Sequence, residues 1–548
     1  MEKEYLVNIF KESLNKFGIN DSSILNFEVP NNPIFGDISC NVAMQLAKPL
    51  KRNPREIAQE IINNLEYNSE VINEVSIAGA GFINIRFSPV FYSVLFEKIR
   101  QVGSDFGRQE VGNGVKVNVE YVSANPTGLL HIGHGRNAVV GDTVANLFEW
   151  MGYDVTREYY FNNAGNQMNN LGKSIYARYM QIENPEFPLP ENAYHGEYIK
   201  DIANKLYVNN SKKYSNLEDN SPLFAELRKA GEEWCFSKIK STLLSLKIKH
   251  EVFYNEDSLY SEGKIDKLLA TLKDKNLSYE KDGAIWLKLS EMGLESDRVI
   301  VKSTGEPTYR LPDIAYHIEK FKRGFDLIVD VFGADHIATI PDVMQTIEHL
   351  GYDKSKISVL IHQFVTLTEN GQQVKMSKRT GKSYTLDDLL EEVGEDVVRF
   401  FFIMRSISTH LEFDLGLAKE QSEKNPVFYL QYAHARACSI FEKAKGQEIS
   451  LNSSYNYKLL NNESEINLIK QLIKFPEVIA LSCDKREAHI LAEYLKEVSS
   501  NFHKFFHECR ILDSEEKIRD ARLQLVNTTR IVLKNGLTIL GINAPERM

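Results

Sequence analysis

The stretch that most limits what this chain can fold into runs from Val115 to Gly152. Val115, Val117, Val119 and Tyr121 alternate with Lys116, Asn118 and Glu120, the two-residue period of a strand. Val140, Val144, Leu147, Phe148 and Met151 recur at helical spacing, and Gly152 supplies a stop. Between them lies Ser123-Ala124-Asn125-Pro126-Thr127-Gly128-Leu129-Leu130-His131-Ile132-Gly133-His134-Gly135-Arg136-Asn137, a strand-to-helix turn with two histidines at its mouth. Strand, turn and helix in that order specify an open α/β sheet, which binds ligands at the carboxyl ends of its strands. Gly133 lets a ligand approach the backbone, and Gly135 leaves the next turn uncluttered. The helix N-terminus offers free N–H groups and partial positive charge to phosphate. His131 and His134 add donors for a phosphate whose charge grows during reaction. A His-x-x-His pair by itself is more often two surface histidines, so the rest of the chain has to decide.

Lys375-Met376-Ser377-Lys378-Arg379 places a lysine pair on a glycine-rich stretch between Gly371 and Gly381. His131-Ile132-Gly133-His134 resembles the first signature of the class I aminoacyl-tRNA synthetases, and the lysine motif resembles the second. Glu120 through His134, Tyr309 through Asp313 and Phe428 through Ala437 resemble the arginyl-tRNA synthetase family, and the resemblance runs over nearly the whole chain. It implies a Rossmann-like α/β catalytic domain with a parallel sheet, an N-terminal α+β module and a C-terminal all-α helical bundle domain. The implied activity is arginine–tRNA ligation in translation: ATP-dependent formation of arginyl-adenylate, dependent on tRNA, then transfer to the 3′ end of tRNA(Arg).

Composition bounds these readings. At 548 residues, about two to four domains are expected. No apolar run approaches the roughly 20 residues of a membrane span, and the charged Met1-Glu2-Lys3-Glu4 start is unlike a secretory signal. Cys40, Cys235, Cys438, Cys483 and Cys509 are scattered without zinc or redox spacing, so reduced thiols and a cytoplasmic location are expected. The net charge of −10 is neutral evidence about an RNA partner, because a basic face can coexist with an acidic total.

Residues 1–110 read as a small module with helices over Tyr5–Phe17, Ala43–Leu50 and Pro54–Leu65, and strands at Val75–Ile77 and Phe82–Phe87. Lys48, Lys51, Arg52 and Arg55 form a basic cluster that reads first as a solvated face. Gly79-Ala80-Gly81 is no dinucleotide fingerprint, since the third glycine is missing and a strand follows. The resemblance makes this a tRNA D-loop module, with Phe82 stacking on a base and Asn84 bonding its edge. Residues 111–415 read as the catalytic body, with an insertion at about 170–296 that shows no chemistry. Ile357–Leu367 reads as one strand leading into the lysine loop. Gly381-Lys382-Ser383 is not a P-loop tail, because Met376 stands where that motif needs glycine; Thr385 and Asp388 form a capping box. Residues 416–548 read as an all-α domain with amphipathic segments at 465–482, 487–508 and 515–537.

The reaction needs no enzyme nucleophile, only alignment of two anions and dispersal of charge at phosphorus. His131, His134, Lys375 and Lys378 are the candidate catalytic residues, and His131, Gly133, His134, Gly333, Asp335, Lys375, Met376, Ser377 and Lys378 the candidate ATP-binding set. Magnesium is expected to arrive on the ATP phosphates, with no dedicated protein site. Tyr309 and Asp313, four apart at a helix start, share a face. With Glu120 they offer two carboxylates and a phenol to a planar guanidinium. Carried over from the family, Glu120, Ser123, Asn125, Tyr309 and Asp313 bind arginine, with His134 and Asp335 beside them. Asn163 stands where the family usually has aspartate. Tyr429, Tyr432, Arg436 and Met548 are the candidate anticodon contacts, although an aromatic stripe is more often core. L-arginine, ATP and tRNA(Arg) are the expected partners, no membrane among them, and a monomer is expected. A synthetase for cysteine would need a metal-ligating cysteine cluster near the first signature. An RNA-binding paralogue without activity would have lost one signature, and a small-molecule nucleotidyltransferase would not need so large a helical C-terminal domain.

Overall fold

The computed structural model describes residues 2–30, 32–209, 212–215, 217–218, 221–374, 384–451 and 455–548. The chain packs as two compact units, one made of Met1–Phe106, Ala437–Phe475 and Ser500–Val532, the other of Gly107–Arg436, Pro476–Ser499 and Leu533–Met548. The C-terminal helical segment is therefore shared between them.

In the first unit β1 (Phe27–Glu28), β2 (Ile38–Cys40), β3 (Ile72–Ala78) and β4 (Phe82–Phe87) form an antiparallel sheet in the order β1-β2-β4-β3. Leu6, Phe10, Leu46, Ile57 and Ile61 of its helices share one core with Ile83 and Ile85 of β4. The period of two then puts Phe82 on the opposite face, where it is exposed. Asn53 caps the Pro54–Asn63 helix by accepting from the Arg55 N–H, with proline at the first helical position.

The second unit is built on five parallel strands. In chain order its strands are β5 (Lys116–Glu120), β6 (Asp154–Phe161), β7 (Val252–Asn255), β8 (Ser278–Lys281), β9 (Ala284–Leu287), β10 (Arg298–Val301), β11 (Leu327–Gly333), β12 (Ile357–His362), β13 (Val365–Glu369), β14 (Gln372–Gln373) and β15 (Leu411–Asp414). The main sheet has the order β12-β11-β5-β6-β7. From β5 the chain winds one way to β6, and β11 returns on its other side, so the sheet reverses between β5 and β11. Ligand crevices of such sheets open at that reversal. Val117, Asn118, Val119 and Glu120 are all buried, because a central parallel strand is covered on both faces.

Two boundaries differ from the sequence reading. The stretch 357–367 is two strands, not one: β12 ends in the main sheet at His362, and β13 pairs in parallel with β15 in a separate sheet. Arg136 fixes the break by donating to the Gln363 carbonyl at 2.7 Å. The 465–482 segment is two helices, Glu463–Ile473 and Phe475–Lys485, with Pro476 at the start of the second. The helices Gly165–Met180, Glu197–Asn209 and Pro222–Ser245, inserted between β6 and β7, close on their own core of Leu171, Ile175, Ile199, Ile202 and Leu227. The five cysteines are buried and unbridged. Among the described residues no helix is long and apolar enough to cross a membrane.

Candidate active site

The helix after β5 begins at Ile132 and runs to Trp150, so His134 lies in its first turn and His131 is its cap. The His131 Nδ1 accepts from the Gly133 and His134 N–H groups at 3.1 and 3.4 Å. The His134 Nδ1 accepts from the His131 N–H at 3.2 Å. Each ring therefore carries its proton on Nε2 and presents it as a donor. The rings stack with centroids 3.6 Å apart. Burial moves both below the ordinary histidine pKa, His134 down to about 3, so both are neutral donors at pH 7. Gly133 is glycine because a Cβ would meet the His131 ring at 3.0 Å. Gly135 has a tighter reason than an uncluttered turn: a Cβ there would lie 2.7 Å from Leu386 and 2.9 Å from Phe402.

The mouth of β5 is a left-handed turn. Val122 and Ser123 have φ of 70° and 43°. The Ser123 hydroxyl donates to Glu120 Oε1 at 2.8 Å and accepts from the Tyr160 N–H at 3.2 Å. Asn125 accepts from the Asn162 N–H at 3.0 Å and donates to Gln167 at 2.9 Å. The sequence reading expects Glu120 to meet a substrate cation, but it is 3% exposed and does not stand free for one. Lys320, wholly buried on the Arg310–Lys322 helix, bridges Glu120 Oε2 at 2.5 Å and Asp330 Oδ1 at 2.6 Å. Asp330 also pairs with His317 Nε2 at 2.9 Å, whose Nδ1 faces the Asp313 carbonyl at 2.7 Å. Burial works against the imidazolium, but Asp330 holds the His317 pKa above its ordinary value. Glu158 takes Arg323 through both oxygens at 2.6 and 2.7 Å, together with the Tyr316 hydroxyl and Asn118. Sequence reading missed Lys320; its signal was a lysine one helical turn from Tyr316 and His317, facing the buried Asp330.

Two carboxyls nearby have no such partner. Asp313 lies in the first turn of the Arg310–Lys322 helix, and burial pushes its pKa up to about 7. Glu256, just past β7, accepts from the Tyr160 hydroxyl at 2.6 Å and Asn162 Nδ2 at 2.7 Å. Burial raises its pKa too. Among the described residues neither forms an ion pair; the cations that act on Asp313, Lys320 and His317, are bonded to Glu120 and Asp330. Glu256 was not among the sequence candidates. Tyr309 caps the same helix and is 74% exposed, open at the rim and not walling the pocket.

Gly333 ends β11, and Asp335 follows it in an exposed single turn. Lys375, Met376, Ser377 and Lys378 lie outside the described residues. The chain is described again from Tyr384, and there it meets the histidine turn: Thr385 bridges His131, and the Leu386 N–H donates to the Leu130 carbonyl at 2.8 Å. Thr385 and Asp388 form the expected capping box. Asn163 donates to Glu232 of the insertion at 2.8 Å. The insertion, read from sequence as chemically silent, touches the site: the Tyr198 hydroxyl donates to the Thr127 carbonyl at 2.8 Å.

The RNA candidates separate. In the first unit Phe82 is exposed, but Asn84 is 3% exposed, so its amide does not stand open to a base edge. In the second unit Tyr429, Tyr432 and Arg436 lie on the Pro426–Gly446 helix at spacings of three and four. The Arg436 guanidinium donates to the Tyr432 hydroxyl at 2.7 Å and sits 4.4 Å over its ring. Met548 is 54% exposed.

A parallel sheet that reverses between β5 and β11, with paired neutral imidazole donors capping the first helix at that reversal, is a Rossmann-like nucleotide-binding arrangement. Three family descriptions match in sequence order: "Arginyl tRNA synthetase N terminal domain" over residues 4–87, "tRNA synthetases class I (R), catalytic domain" over 98–401 and "DALR anticodon binding domain" over 430–548. An arginine–tRNA ligase of Salinibacter ruber is 46% identical over 566 aligned residues, covering all of both chains. The crystal structure of a Campylobacter jejuni protein described as an arginyl-tRNA synthetase covers 84% of this chain and 100% of its own at 33% identity, with a TM-score of 0.77. The arginyl-tRNA synthetase of Thermus thermophilus covers 100% of each chain at 22% identity and a TM-score of 0.76, a likeness of fold. The chain belongs to the arginyl-tRNA synthetase family.

Proposed function

We propose that this protein is an arginine–tRNA ligase, which activates L-arginine with ATP and esterifies it to the 3′-terminal ribose of tRNA(Arg). The observation that carries the substrate is the pair of cation-free carboxyls, half-buried Asp313 and buried Glu256, at the mouth where the histidine turn opens. A buried carboxylate without a partner is unfavourable, and a guanidinium satisfies it through paired N–H···O bonds. Lysine would bring a single point charge to the same acceptors.

Arginine enters with its guanidinium toward Asp313, and Tyr309 covers it from the rim. Ser123 and Asn125 define the opposite side of the mouth, with Glu120 behind them holding the Ser123 hydroxyl. The arginine carboxylate attacks the α-phosphorus of ATP and pyrophosphate leaves. The Nε2–H groups of His131 and His134 donate to the phosphate oxygens as charge builds, next to Gly133, Gly333 and Asp335. Lys375 and Lys378, with Met376 and Ser377 between them, serve the leaving pyrophosphate. Mg2+ enters bound to the ATP phosphates. In the second step the ribose hydroxyl attacks the aminoacyl carbonyl and AMP departs. Activation requires tRNA, held by the module of residues 1–110 through Phe82, with Asn84 buried beneath it, and by the helical segment 416–548 through Tyr429, Tyr432, Arg436 and Met548. The body between, 111–415 with its insertion at about 170–296, carries the chemistry. The enzyme acts as a cytoplasmic monomer.

Pyrophosphate exchange into ATP, run with each amino acid and with or without tRNA, tests this. Exchange with arginine alone, only when tRNA is present, is expected. Exchange with another amino acid overturns the substrate.

A further inference from the structure

We propose that Asn137 is a positioning residue for arginine activation: its side-chain amide holds the left-handed turn after β5 against the ends of β11 and β12. The proposal rests on the arginine-activating reading. Asn137 lies in the helix that follows the histidine turn and is 6% exposed. Its Oδ1 accepts the Val122 N–H at 2.6 Å. Its Nδ2 donates to the Val331 carbonyl of β11 at 2.8 Å and lies 3.3 Å from Nε2 of His362, the last residue of β12. The amide's acceptor end is thus spent on the turn after β5 and its donor end on two strands, β11 and β12. The His362 Nδ1 faces the Gln363 carbonyl at 3.3 Å, which puts the ring proton on Nδ1 and leaves Nε2 to accept. Burial moves His362 down to about 4, so the ring stays neutral and the Asn137 donation is satisfied at pH 7.

Asn137 opposes a specific strain. Val122 has φ of 70°, and a left-handed backbone is unfavourable for a β-branched residue. Such a conformation persists only where its surroundings over-determine it. The turn has a consequence at the site, because it aims the Ser123 hydroxyl at Glu120 and the Tyr160 N–H. An extended Val122 would carry Ser123 and Asn125 out of the mouth while leaving the histidine turn in place. Arginine use should then suffer more than ATP use.

The test compares wild type, Asn137→Ala, Val122→Gly and the double variant in tRNA-dependent exchange, with arginine and ATP titrated separately. Asn137→Ala is expected to raise the arginine KM about tenfold, the factor equivalent to the cost of one left-handed residue, and to move the ATP KM less than about threefold. Glycine adopts the turn without penalty, so the double variant should lie closer to Val122→Gly than the product of the single effects. Leu14→Ala, in the core of the first unit, serves as a variant that lowers the thermal midpoint without touching the mouth. Independent effects at 122 and 137, or an arginine KM unchanged in Asn137→Ala, overturn the proposal. A wild-type protein inactive with arginine overturns the functional reading instead. The thermal midpoints of the same four proteins then still decide whether Asn137 and Val122 are coupled.

Discussion

The two sides of the mouth handle charge in opposite ways. On the proposed reading the histidine turn meets the ATP phosphates with neutral groups, their Nδ1 acceptors tied to backbone N–H groups. On the same reading the acidic groups beside it, Asp313 and Glu256, meet arginine with carboxyls in excess. On the first side the substrate's own charge is the only full one, so orientation does the work. On the second the protein carries uncompensated charge that the substrate completes. Lys320 marks the border: it bridges Glu120 and Asp330, and Asp313 and Glu256 are the carboxyls proposed for arginine.

The largest effect should come from breaking that border. Lys320→Met leaves Glu120 and Asp330 buried without their common cation, which typically costs about 3–5 kcal/mol. Urea unfolding of the purified variant is the measurement. A variant as stable as wild type would show that these carboxyls take up protons readily and that Lys320 does not separate the two sides.

Removing a donor from the neutral side comes next. His134→Ala should lower the rate of arginine-dependent exchange about 10²–10³-fold while tRNA affinity, read by filter binding, stays unchanged. Equal loss of tRNA affinity would place His134 in a structural role.

Asp313→Asn sharpens the other side and carries a sign. The wild-type Asp313 pKa of about 7 lies above its unfolded value, so the folded state binds the extra proton between about pH 4 and 7. This group's contribution to stability therefore declines as pH rises through that window. Arginine binding runs the other way, because the guanidinium needs the carboxylate, and the arginine KM should rise as pH falls below 7. Asparagine removes both dependences. Asp313→Asn should weaken arginine use about 10²-fold and raise the thermal midpoint of the substrate-free protein at pH 8. Thermal melts and arginine titrations from pH 6 to 8.5 check both signs. A variant that loses arginine use without gaining stability would mean that Asp313 is compensated in the free enzyme.

The same border explains what was legible in sequence. Val117 and Val119 mark the central strand, and the His131 turn marks the helix start, because backbone periodicity and capping are local. Leu327–Phe332 is an apolar run broken only by Asp330, the local pattern of a strand covered on both faces, and β11 is one. The alternation of Lys116, Asn118 and Glu120 looks like a solvent face, yet Asn118 and Glu120 are buried. Their partners Glu158 and Lys320 come from other strands and helices, and a period of two cannot tell water from a distant ammonium. Glu256 escaped for the same reason, since its place in the pocket is set by Tyr160 and Asn162, far away in sequence. The 357–367 stretch is apolar enough for one strand, and the break comes from Arg136, which no local pattern encodes.

The smallest expected effect tests whether the neutral side extends into the insertion. The Tyr198 hydroxyl donates to the Thr127 carbonyl, ahead of the histidine turn, and its ring stacks against Trp234 with centroids 5.9 Å apart. Burial raises the Tyr198 pKa, so the phenol is a donor throughout the working range. Tyr198→Phe keeps the stack and removes one neutral hydrogen bond, worth about 0.5–1.5 kcal/mol. If the insertion merely packs beside the mouth, that loss appears in the thermal midpoint alone. If it holds the approach to the histidine turn, the variant should also raise the ATP KM by roughly two- to tenfold while the arginine KM stays near wild type, because Thr127 lies between Asn125 and His131 but bears on the nucleotide side. An arginine KM that rises with the ATP KM would show that the loop from Ser123 to His131 moves as one body, and the separation of the two sides would then fail at that loop.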